Sequence, residues 1–308
     1  MATNFDFSDI SSSNPIDNNA ENSALGATPD KVKESRASKS SIDPRTYNVT
    51  LTDPVSPMVI LFGPPSCGKT MTLVRLTRFL SGQYDFMPDQ AFKNSDNDEY
   101  QKLCSNFNAA VGSDAAAQGT KYIDFMLLRV NDKTNGRTLC QFVESPGEFL
   151  FDPKKPDEPF PAYLNQIIAS NNRKIWLVFL EAGLSQTERF DYVRKIQNLK
   201  SVINHRDKVI FVVNKIDLLA TRSFIMSPTE INMGGLINYA NGLYPGLFES
   251  FTRKGIFWTT RCFDFTAFQT GTYVVSRDQD GKEYKSFQSG HDSHPARLWS
   301  IIKKRVRG

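Results

Sequence analysis

The sequence predicts an α/β fold: a three-layer α/β/α sandwich on a mostly parallel central sheet with one antiparallel strand. Apolar runs recur along the chain, as expected for strands that are covered on both faces of a sheet. Segments of helical periodicity separate them, and this alternation is typical of a parallel sheet. Two further strand-like segments flank Asn135-Gly136, a strong hairpin signal that accounts for the antiparallel strand. The apolar runs are residues 58–62, 175–180, 209–213 and 256–258, and the hairpin segments are residues 122–130 and 138–143.

Helical patterns fill the intervening segments. They cover residues 71–80, 98–110, 162–169, 185–203, 227–239 and 295–306. In the helix that starts at Ser185, the residues predicted to face the core are Phe190, Val193, Ile196, Leu199 and Val202 or Ile203. The segment Ser227-Pro228-Thr229-Glu230 has the spacing of a capping box and predicts a helix start. Asp280-Gly281 predicts a second hairpin.

The chain divides into a tail and one domain. Residues 1–50 are rich in Ser, Asn, Asp and Lys and lack sustained apolar periodicity, which predicts a disordered polar N-terminal tail. Residues 51–308 are predicted to form the domain. It carries insertions near residues 82–119 and 264–293, which the alternation of strands and helices does not require.

Composition narrows the class of protein. A net charge of +4 on 308 residues is too small to indicate a nucleic-acid partner, and none is expected. The four cysteines lack the spacing of metal or redox motifs, so we expect reduced thiols. The N-terminus does not resemble a signal peptide, and no apolar run is long enough to cross a bilayer. We therefore expect a cytoplasmic protein.

A phosphate-binding loop follows the first apolar run. The segment from Gly63 to Thr70 reads Gly-Pro-Pro-Ser-Cys-Gly-Lys-Thr, a glycine, four residues, then Gly-Lys-Thr. Glycines allow the backbone to turn several N–H groups toward one anion, and the helix that follows adds its positive N-terminal end. Lys69 can reach the β- and γ-phosphates, and the Thr70 hydroxyl can ligate Mg²⁺. The predicted phosphate contacts are Gly63, Ser66, Cys67, Gly68, Lys69, Thr70 and Met71.

A second motif predicts the base. Asn214-Lys215-Ile216-Asp217 ends the apolar run of residues 209–213, where ligands of open α/β sheets bind. The Asp217 carboxylate can accept from the ring N1–H and the exocyclic amine of guanine, two donors that adenine lacks on that edge. Asn214 can bond the base and brace the phosphate loop, and the Lys215 stem can lie along the base plane. These residues predict a guanine site.

A third segment, Glu144-Ser145-Pro146-Gly147, ends another strand and lies between the other two motifs in the chain. Together the three motifs resemble the translation-factor-related class of P-loop GTPases over about residues 55–260. The resemblance implies a small-GTPase-like G domain. It also implies that Gly147 offers its N–H to the γ-phosphate, that Glu144 stands where the family has Asp and holds Mg²⁺ through water, and that Thr120 closes on Mg²⁺. The family's guanine-supporting loop would fall at residues 259–262.

Glu148 departs from the family pattern. Many members place Gln directly after the glycine, where its amide orients the attacking water. A carboxylate can accept a proton from water, but it adds negative charge beside the γ-phosphate. The resemblance therefore implies a GTPase with slow intrinsic hydrolysis that a protein activator or a dimer accelerates. Arg36, Arg129 and Arg261 are candidates for a cation supplied by this chain.

The expected function is a nucleotide-dependent molecular switch. GTP would be hydrolysed to GDP and phosphate with Mg²⁺ as cofactor, and a protein effector would read the bound state. The predicted catalytic residues are Lys69, Gly147, Glu148 and Thr120, and the predicted metal ligands are Thr70, Thr120 and Glu144. Two alternatives stay open: a hydrolysis-deficient pseudo-GTPase scaffold, and a P-loop ATPase, which leaves the Asn214 motif unexplained.

The last predicted helix has two interpretations. Its cations and its apolar face suit weak contact with an anionic membrane surface. The same pattern suits a closing helix that packs on the sheet with cations at its C-terminal end.

Overall fold

A seven-stranded sheet in the order β2-β3-β4-β1-β5-β6-β9 forms the centre of the computed structural model. The structure describes residues 47–93, 98–112, 125–219, 222–227, 229–255, 259–277 and 283–308, which belong to one compact unit. The strands of this sheet are β1 (Met58–Phe62), β2 (Tyr84–Pro88), β3 (Met126–Asp132), β4 (Thr138–Glu144), β5 (Lys174–Leu180), β6 (Lys208–Val213) and β9 (Phe263–Ala267). Two separate ribbons pair β7 (Thr252–Lys254) with β8 (Thr259–Arg261), and β10 (Gly271–Arg277) with β11 (Glu283–Ser289).

Strand directions confirm the mostly parallel sheet. Strands β4, β1, β5, β6 and β9 run parallel to one another, whereas β3 runs antiparallel to both β2 and β4. Strand β3 is therefore the one described strand of this sheet that runs against the rest. It joins β4 through the predicted hairpin, whose Gly136 has a φ of 68°, a value that glycine adopts at little cost.

The helices are α1 (Lys69–Leu80), α2 (Asp98–Gly112), α3 (Gly147–Leu150), α4 (Ala162–Ala169), α5 (Gln186–Val202), α6 (Met233–Leu243), α7 (Leu247–Ser250) and α8 (Ser293–Arg307). Every residue of β1 and β5 is buried, so both faces of the sheet are covered. Helix α1 packs against α2 and α8, and α5 packs against α7. A layered α/β fold is thus confirmed.

The last helix closes the domain. Helix α8 contacts α1, β5 and β9, and it buries Leu298, Trp299, Ile302 and Val306. The interpretation as a closing helix is confirmed. Its apolar face packs inside the protein, so the predicted membrane contact would have to rely on its cations alone.

Several predicted boundaries differ from the structure. Within the predicted tail, Val49 is buried, and its backbone exchanges hydrogen bonds with the Gln166 side chain; residues 1–46 lie outside the described part. Residues 256–258, predicted as the last core strand, also lie outside it. Strand β9 instead occupies the sheet edge beside β6, inside the segment predicted as an insertion. The other predicted insertion contributes the edge strand β2.

Two helix predictions were wrong in detail. Phe190 was predicted to face the core, but it is 50% exposed. Of the two alternatives Val202 and Ile203, Val202 is 48% exposed and Ile203 packs against the core. Ser227 starts a turn rather than a helix: its hydroxyl accepts from the Glu230 N–H at 3.0 Å. The helix begins at Met233 and is capped by Asn232, whose side chain accepts from the Gly235 N–H. A short polar motif with capping spacing also fits a closed turn, and the structure uses it that way.

Candidate nucleotide site

The predicted motifs meet at one edge of the sheet. Because β4, β1, β5, β6 and β9 run parallel, their carboxyl ends lie side by side. The loops that leave these ends carry the phosphate loop, the Glu144 segment and the Asn214 motif. This is the edge at which open α/β sheets bind ligands.

The phosphate loop has a strained, glycine-dependent backbone. It connects β1 to α1, and both Ser66 and Gly68 are left-handed, with φ values of 61° and 88°. A Cβ at position 68 would also lie 2.4 Å from Asn214 Nδ2, so both conformation and space require glycine there. The buried Lys69 ammonium donates to the carbonyl oxygens of Gly63 and Pro64, each at 3.2 Å. These two contacts hold the cation over the loop.

The Glu144 segment reaches the phosphate loop from β4. The Thr70 hydroxyl donates to Glu144 Oε1 at 2.9 Å, so two of the three predicted metal ligands converge. Gly147 packs against the loop so closely that a Cβ there would lie 2.4 Å from the Pro65 nitrogen and 2.5 Å from the Pro64 carbonyl carbon. Glu148, the next residue, is exposed in the first turn of α3. The structure therefore brings Thr70, Glu144 and Gly147 together at the loop.

Asn214 ties the strand β6 motif to the phosphate loop. Its Nδ2 donates to the Cys67 carbonyl oxygen at 2.8 Å, across 147 residues of chain. The side chain is 3% exposed, and its Oδ1 atom has no hydrogen-bond partner within the described part of the chain. The predicted bracing of the phosphate loop by Asn214 is confirmed as a contact.

Lys215 and Asp217 extend the site away from the loop. Lys215 has a left-handed φ of 55°, unusual for a residue with a side chain. Its ammonium pairs with Glu181 Oε1 at 2.5 Å. Asp217 is half-buried in a short 3₁₀ helix, Ile216–Leu219, and burial raises the pKa of its carboxyl above the ordinary value, partly offset by a backbone hydrogen bond and by Lys215.

Glu181 is a site residue that the sequence analysis missed. It directly follows β5, and besides its bond to Lys215 its backbone N–H and carbonyl both bond the Tyr244 hydroxyl, at 3.0 and 2.6 Å. The signal was present: Glu181 ends an apolar run in the same way as Glu144 and Asn214 do. Only the neighbouring order of β1, β5 and β6, which the motifs do not reveal, shows that it belongs to the site.

The floor of the phosphate loop is apolar and closed. Cys67 is fully buried, and burial raises the pKa of its thiol to about 11, although Lys69 acts in the opposite direction. The Tyr192 hydroxyl donates to the Phe179 carbonyl at 3.0 Å beneath it. All four cysteines are free, as predicted. Cys67 is thus a neutral packing residue whose carbonyl, not its sulfur, is used in the site.

The loop predicted to support the base was misplaced. Residues 259–262 were predicted to follow the last core strand, but they precede β9 and lie at the opposite edge of the sheet. The segment that follows β9 begins at Phe268, whose N–H donates to the Val213 carbonyl at 2.8 Å and whose carbonyl accepts from the Ile216 N–H at 3.5 Å. The segment after Ala267 therefore lies beside the Asn214 motif.

The remaining predicted site residues fall into three groups: those at the loop, those outside the described residues, and two arginines that lie away from the site. Ser66 is exposed on the loop, and Met71 is half-buried in the first turn of α1. Thr120 lies outside the described residues. Arg129 is engaged away from the site, where it pairs with Asp89 at 2.8 Å, and Arg261 lies at the other sheet edge. Neither described arginine is a cation for this site.

The oxygen atoms at the loop suit a hard cation. A hydroxyl and a carboxylate 2.9 Å apart are oxygen ligands of the kind that Mg²⁺ takes, usually with few protein ligands and with phosphate oxygens. Within the described ranges, no three His, Cys, Asp or Glu side chains cluster as a protein-only metal site. Thr70 and Glu144 therefore fit a metal that is shared with a phosphate ligand.

No described helix combines the length and apolar character needed to cross a membrane. Comparison with known proteins adds no relative: no protein-family model matches the chain, and no curated protein does.

Proposed function

We propose that this chain binds GTP, hydrolyses it to GDP and phosphate, and acts as a nucleotide-dependent molecular switch. One observation carries the proposal: Asn214 Nδ2 donates to the Cys67 carbonyl at 2.8 Å. This bond joins a guanine-type motif to a phosphate-type loop, so that one ligand with both a guanine base and phosphates can span them. Each motif alone is less specific than the pair.

The phosphate end would be held by loop backbone and by Lys69. Left-handed Ser66 and Gly68 would let successive N–H groups of the loop point toward one anion, as in the backbone nests that bind phosphate. The N-terminus of α1, a helix of 12 residues, adds a positive end. Pro64 and Pro65 have no N–H to donate, so Ser66 through Thr70 supply the donors. Lys69 would exchange its two loop carbonyls for phosphate oxygens and neutralise their charge.

The base end would be selected by Asp217. Burial has already raised the pKa of this carboxyl, so its charged form lacks full solvation. The two N–H donors on the guanine edge would replace that solvation, whereas adenine presents no such pair to the carboxylate. The Glu181–Lys215 ion pair would hold the Lys215 stem beside the base plane.

Bound Mg²⁺ would supply charge neutralisation at the β- and γ-phosphates. Thr70 and Glu144 are the residues that would hold it, the hydroxyl directly and the carboxylate directly or through water. Gly147, pressed against Pro64 and Pro65, would place its N–H near the terminal phosphate. The order of these three motifs at one sheet edge supports the finer assignment of the fold as a P-loop G domain, with the cytoplasmic setting expected for such switches.

The test compares two nucleotides in two proteins. We expect the full-length chain to bind GTP more tightly than ATP, and Asp217→Ala to weaken GTP binding by about 10- to 100-fold while it leaves ATP unchanged, because charge-assisted hydrogen bonds are worth about 1.5–3 kcal/mol. The affinities are measured by calorimetry with GDP and ADP, which carry the same two bases but have no γ-phosphate to be hydrolysed during the titration. Asp157→Ala, at a carboxylate that is 78% exposed, is the matched control. Equal affinity for both bases, unchanged by Asp217→Ala, would remove the guanine assignment and favour the ATPase alternative.

A second candidate function, a nucleotide-bound scaffold without turnover, is favoured by Glu148. This carboxylate is exposed beside the loop, where it adds negative charge near a terminal phosphate. We expect slow phosphate release from the wild-type protein and at least a 10-fold faster release from Glu148→Gln, a difference of about 1.4 kcal/mol in the barrier. Glu249→Gln, another exposed site, is the control. Retention of intact GTP for hours by both proteins would assign the scaffold function instead.

A further inference from the structure

A cavity lies at the opposite end of the parallel strands from the phosphate loop. Its volume is about 450 Å³, within the range of small-molecule sites. It opens where β6 and β9 begin, between the end of α5 and the β7–β8 ribbon. Strand β6 has six residues, so the two sites are separated by roughly 20 Å at about 3.3 Å per residue.

The cavity is strongly basic. Five cationic side chains line it, against two carboxylates, which leaves an excess of three positive charges with histidine counted as neutral. The whole chain carries +4 on 308 residues, so this one cavity concentrates a large share of the excess charge. The cations are Lys200, Lys208, Arg253, Arg261 and Arg305.

Both carboxylates in the cavity lining already accept hydrogen bonds within the protein. Asp264 accepts two hydrogen bonds from Arg305, at 2.5 and 2.8 Å. Asp207 accepts from the backbone N–H groups of Lys174 and Asn204, each at 2.9 Å, and so fixes the turn before β6. Neither acid forms an ion pair with another of the lining cations within the described part of the chain.

Three of the cations make no ion pair or side-chain hydrogen bond within the described ranges of the chain. Lys200 donates to the Ser250 carbonyl and lies over the Phe251 ring, so it helps to hold α5 on the helix α7 segment. Lys208, Arg253 and Arg261, by contrast, have no acidic partner among the residues that the structure describes. Like charges gathered without a counter-charge destabilise a fold, so their collection in one concave site points to a ligand that compensates them.

We propose that this cavity binds a compact polyanion that carries two or more phosphate groups. Arginine forks match phosphate oxygens with two parallel N–H bonds, and Arg253 and Arg261 offer two such forks near the Lys208 ammonium. Three charges within about 450 Å³ match a small polyphosphate, whose groups each carry up to two negative charges. An acidic peptide would need several side chains to deliver the same charge over a longer span. This site is separate from the proposed nucleotide site and does not depend on it.

The probe is inorganic tripolyphosphate, titrated by calorimetry at physiological ionic strength. The full-length Lys69→Ala protein serves as background, because it removes the ammonium of the phosphate loop. We expect binding in this background, and at least a 10-fold loss when Arg253→Ala and Arg261→Ala are added. The matched control adds Arg137→Ala and Lys155→Ala, two exposed cations elsewhere on the surface.

A charge-conserving pair, Arg253→Lys with Arg261→Lys, guards against misfolding of the alanine protein. We expect it to melt like the background and to bind tripolyphosphate with an intermediate affinity, because the charge remains while the forks are lost. No binding in the background, or equal loss in the Arg137/Lys155 control, would overturn the proposal. A single-stranded RNA that binds more tightly than tripolyphosphate and is lost with the same alanine pair would also overturn it, in favour of nucleic acid.

Discussion

The two ends of the parallel strands hold their cations in different ways. The carboxyl edge is where the strands end, at the phosphate loop, and the amino edge is where β6 and β9 begin, at the basic cavity. At the carboxyl edge, Lys69 is buried on two loop carbonyls and Lys215 is paired with Glu181. At the amino edge, Arg253 and Arg261 are exposed and have no carboxylate partner within the described ranges. The first edge holds its cations through contacts within the protein, whereas at the second edge the proposed ligand would have to order them. The same residue types therefore differ in how far the protein fixes them before a ligand binds.

This difference has an energetic consequence. A buried cation is weakly screened by salt, and its loss leaves oriented carbonyls and N–H groups without their partner. An exposed cation works through water and salt, and neighbouring cations partly replace it. Substitutions at the carboxyl edge should thus cost more affinity per residue than substitutions at the amino edge.

The largest expected effect comes from Lys69→Ala. Removal of this ammonium should weaken GDP binding by at least about 100-fold, which corresponds to about 2.7 kcal/mol, because the phosphates lose their one fixed side-chain cation from the loop. Calorimetry of the full-length protein measures it. The crossed comparison uses the Arg253→Ala and Arg261→Ala pair, which should leave GDP affinity within about twofold. Similar losses in both proteins would show that net charge, rather than loop geometry, governs nucleotide binding.

A smaller effect is expected from Asn214→Ala. The substitution breaks the bond to the Cys67 carbonyl and leaves that buried acceptor without its donor, which costs roughly 1–2 kcal/mol of unfolding free energy. GDP affinity should fall about 10-fold, because the loop loses its brace. Chemical denaturation and calorimetry measure the two changes.

Asn165→Ala is the matched control for that measurement. Its side chain also donates to a backbone carbonyl, that of Phe160 at 3.0 Å, but at an exposed position. We expect a loss of stability below about 0.5 kcal/mol and no change in GDP affinity. If Asn214→Ala behaves like this control, the link between the two motifs does not stabilise the site.

The parts of this site that could be predicted from the sequence are those that follow a long apolar run. The phosphate loop and the Asn214 motif each follow a long apolar strand, where a change to glycine or polar residues marks the strand end. The predicted strand ends, at Phe62 and Val213, agree with the structure. The apolar runs of β1, β5 and β6 are continuous because those strands are covered on both faces, so their positions were also predictable.

The two outermost strands of the sheet, β2 and β9, were harder to predict. Strand β2 alternates between buried and exposed residues, and β9 has a mixed burial pattern, so neither forms an apolar run. The more apolar segment of residues 256–258 was chosen in place of β9, and the base-side loop was misplaced with it. Glu181 was missed for another reason: no motif contains it, and only the order of neighbouring strands brings it to Lys215.

The smallest expected effect is a pH dependence at the carboxyl edge. Burial raises the pKa of Asp217 above its ordinary value of about 3.9, so the carboxyl takes up a proton earlier than a solvated aspartate as the pH falls. GDP binding needs the charged form and must expel that proton. Affinity should therefore weaken as the pH falls toward the raised pKa of Asp217, with proton uptake and release detected by calorimetry in buffers of different ionisation enthalpy.

The same titration should act on stability in the opposite direction. The folded-state pKa of Asp217 lies above the unfolded value, so this carboxyl costs stability at neutral pH, and the cost is relieved as the pH falls through the folded pKa. Asp217→Asn removes the titrating group. Relative to that variant, the ligand-free wild-type protein should gain unfolding free energy on acidification while its GDP complex loses affinity. The proposed amino-edge site lies at the other end of the strands from Asp217, so its tripolyphosphate affinity in the Lys69→Ala background should not change when Asp217→Asn is added. A proton release on GDP binding that persists in Asp217→Asn would assign the titration to another group and separate the base site from Asp217.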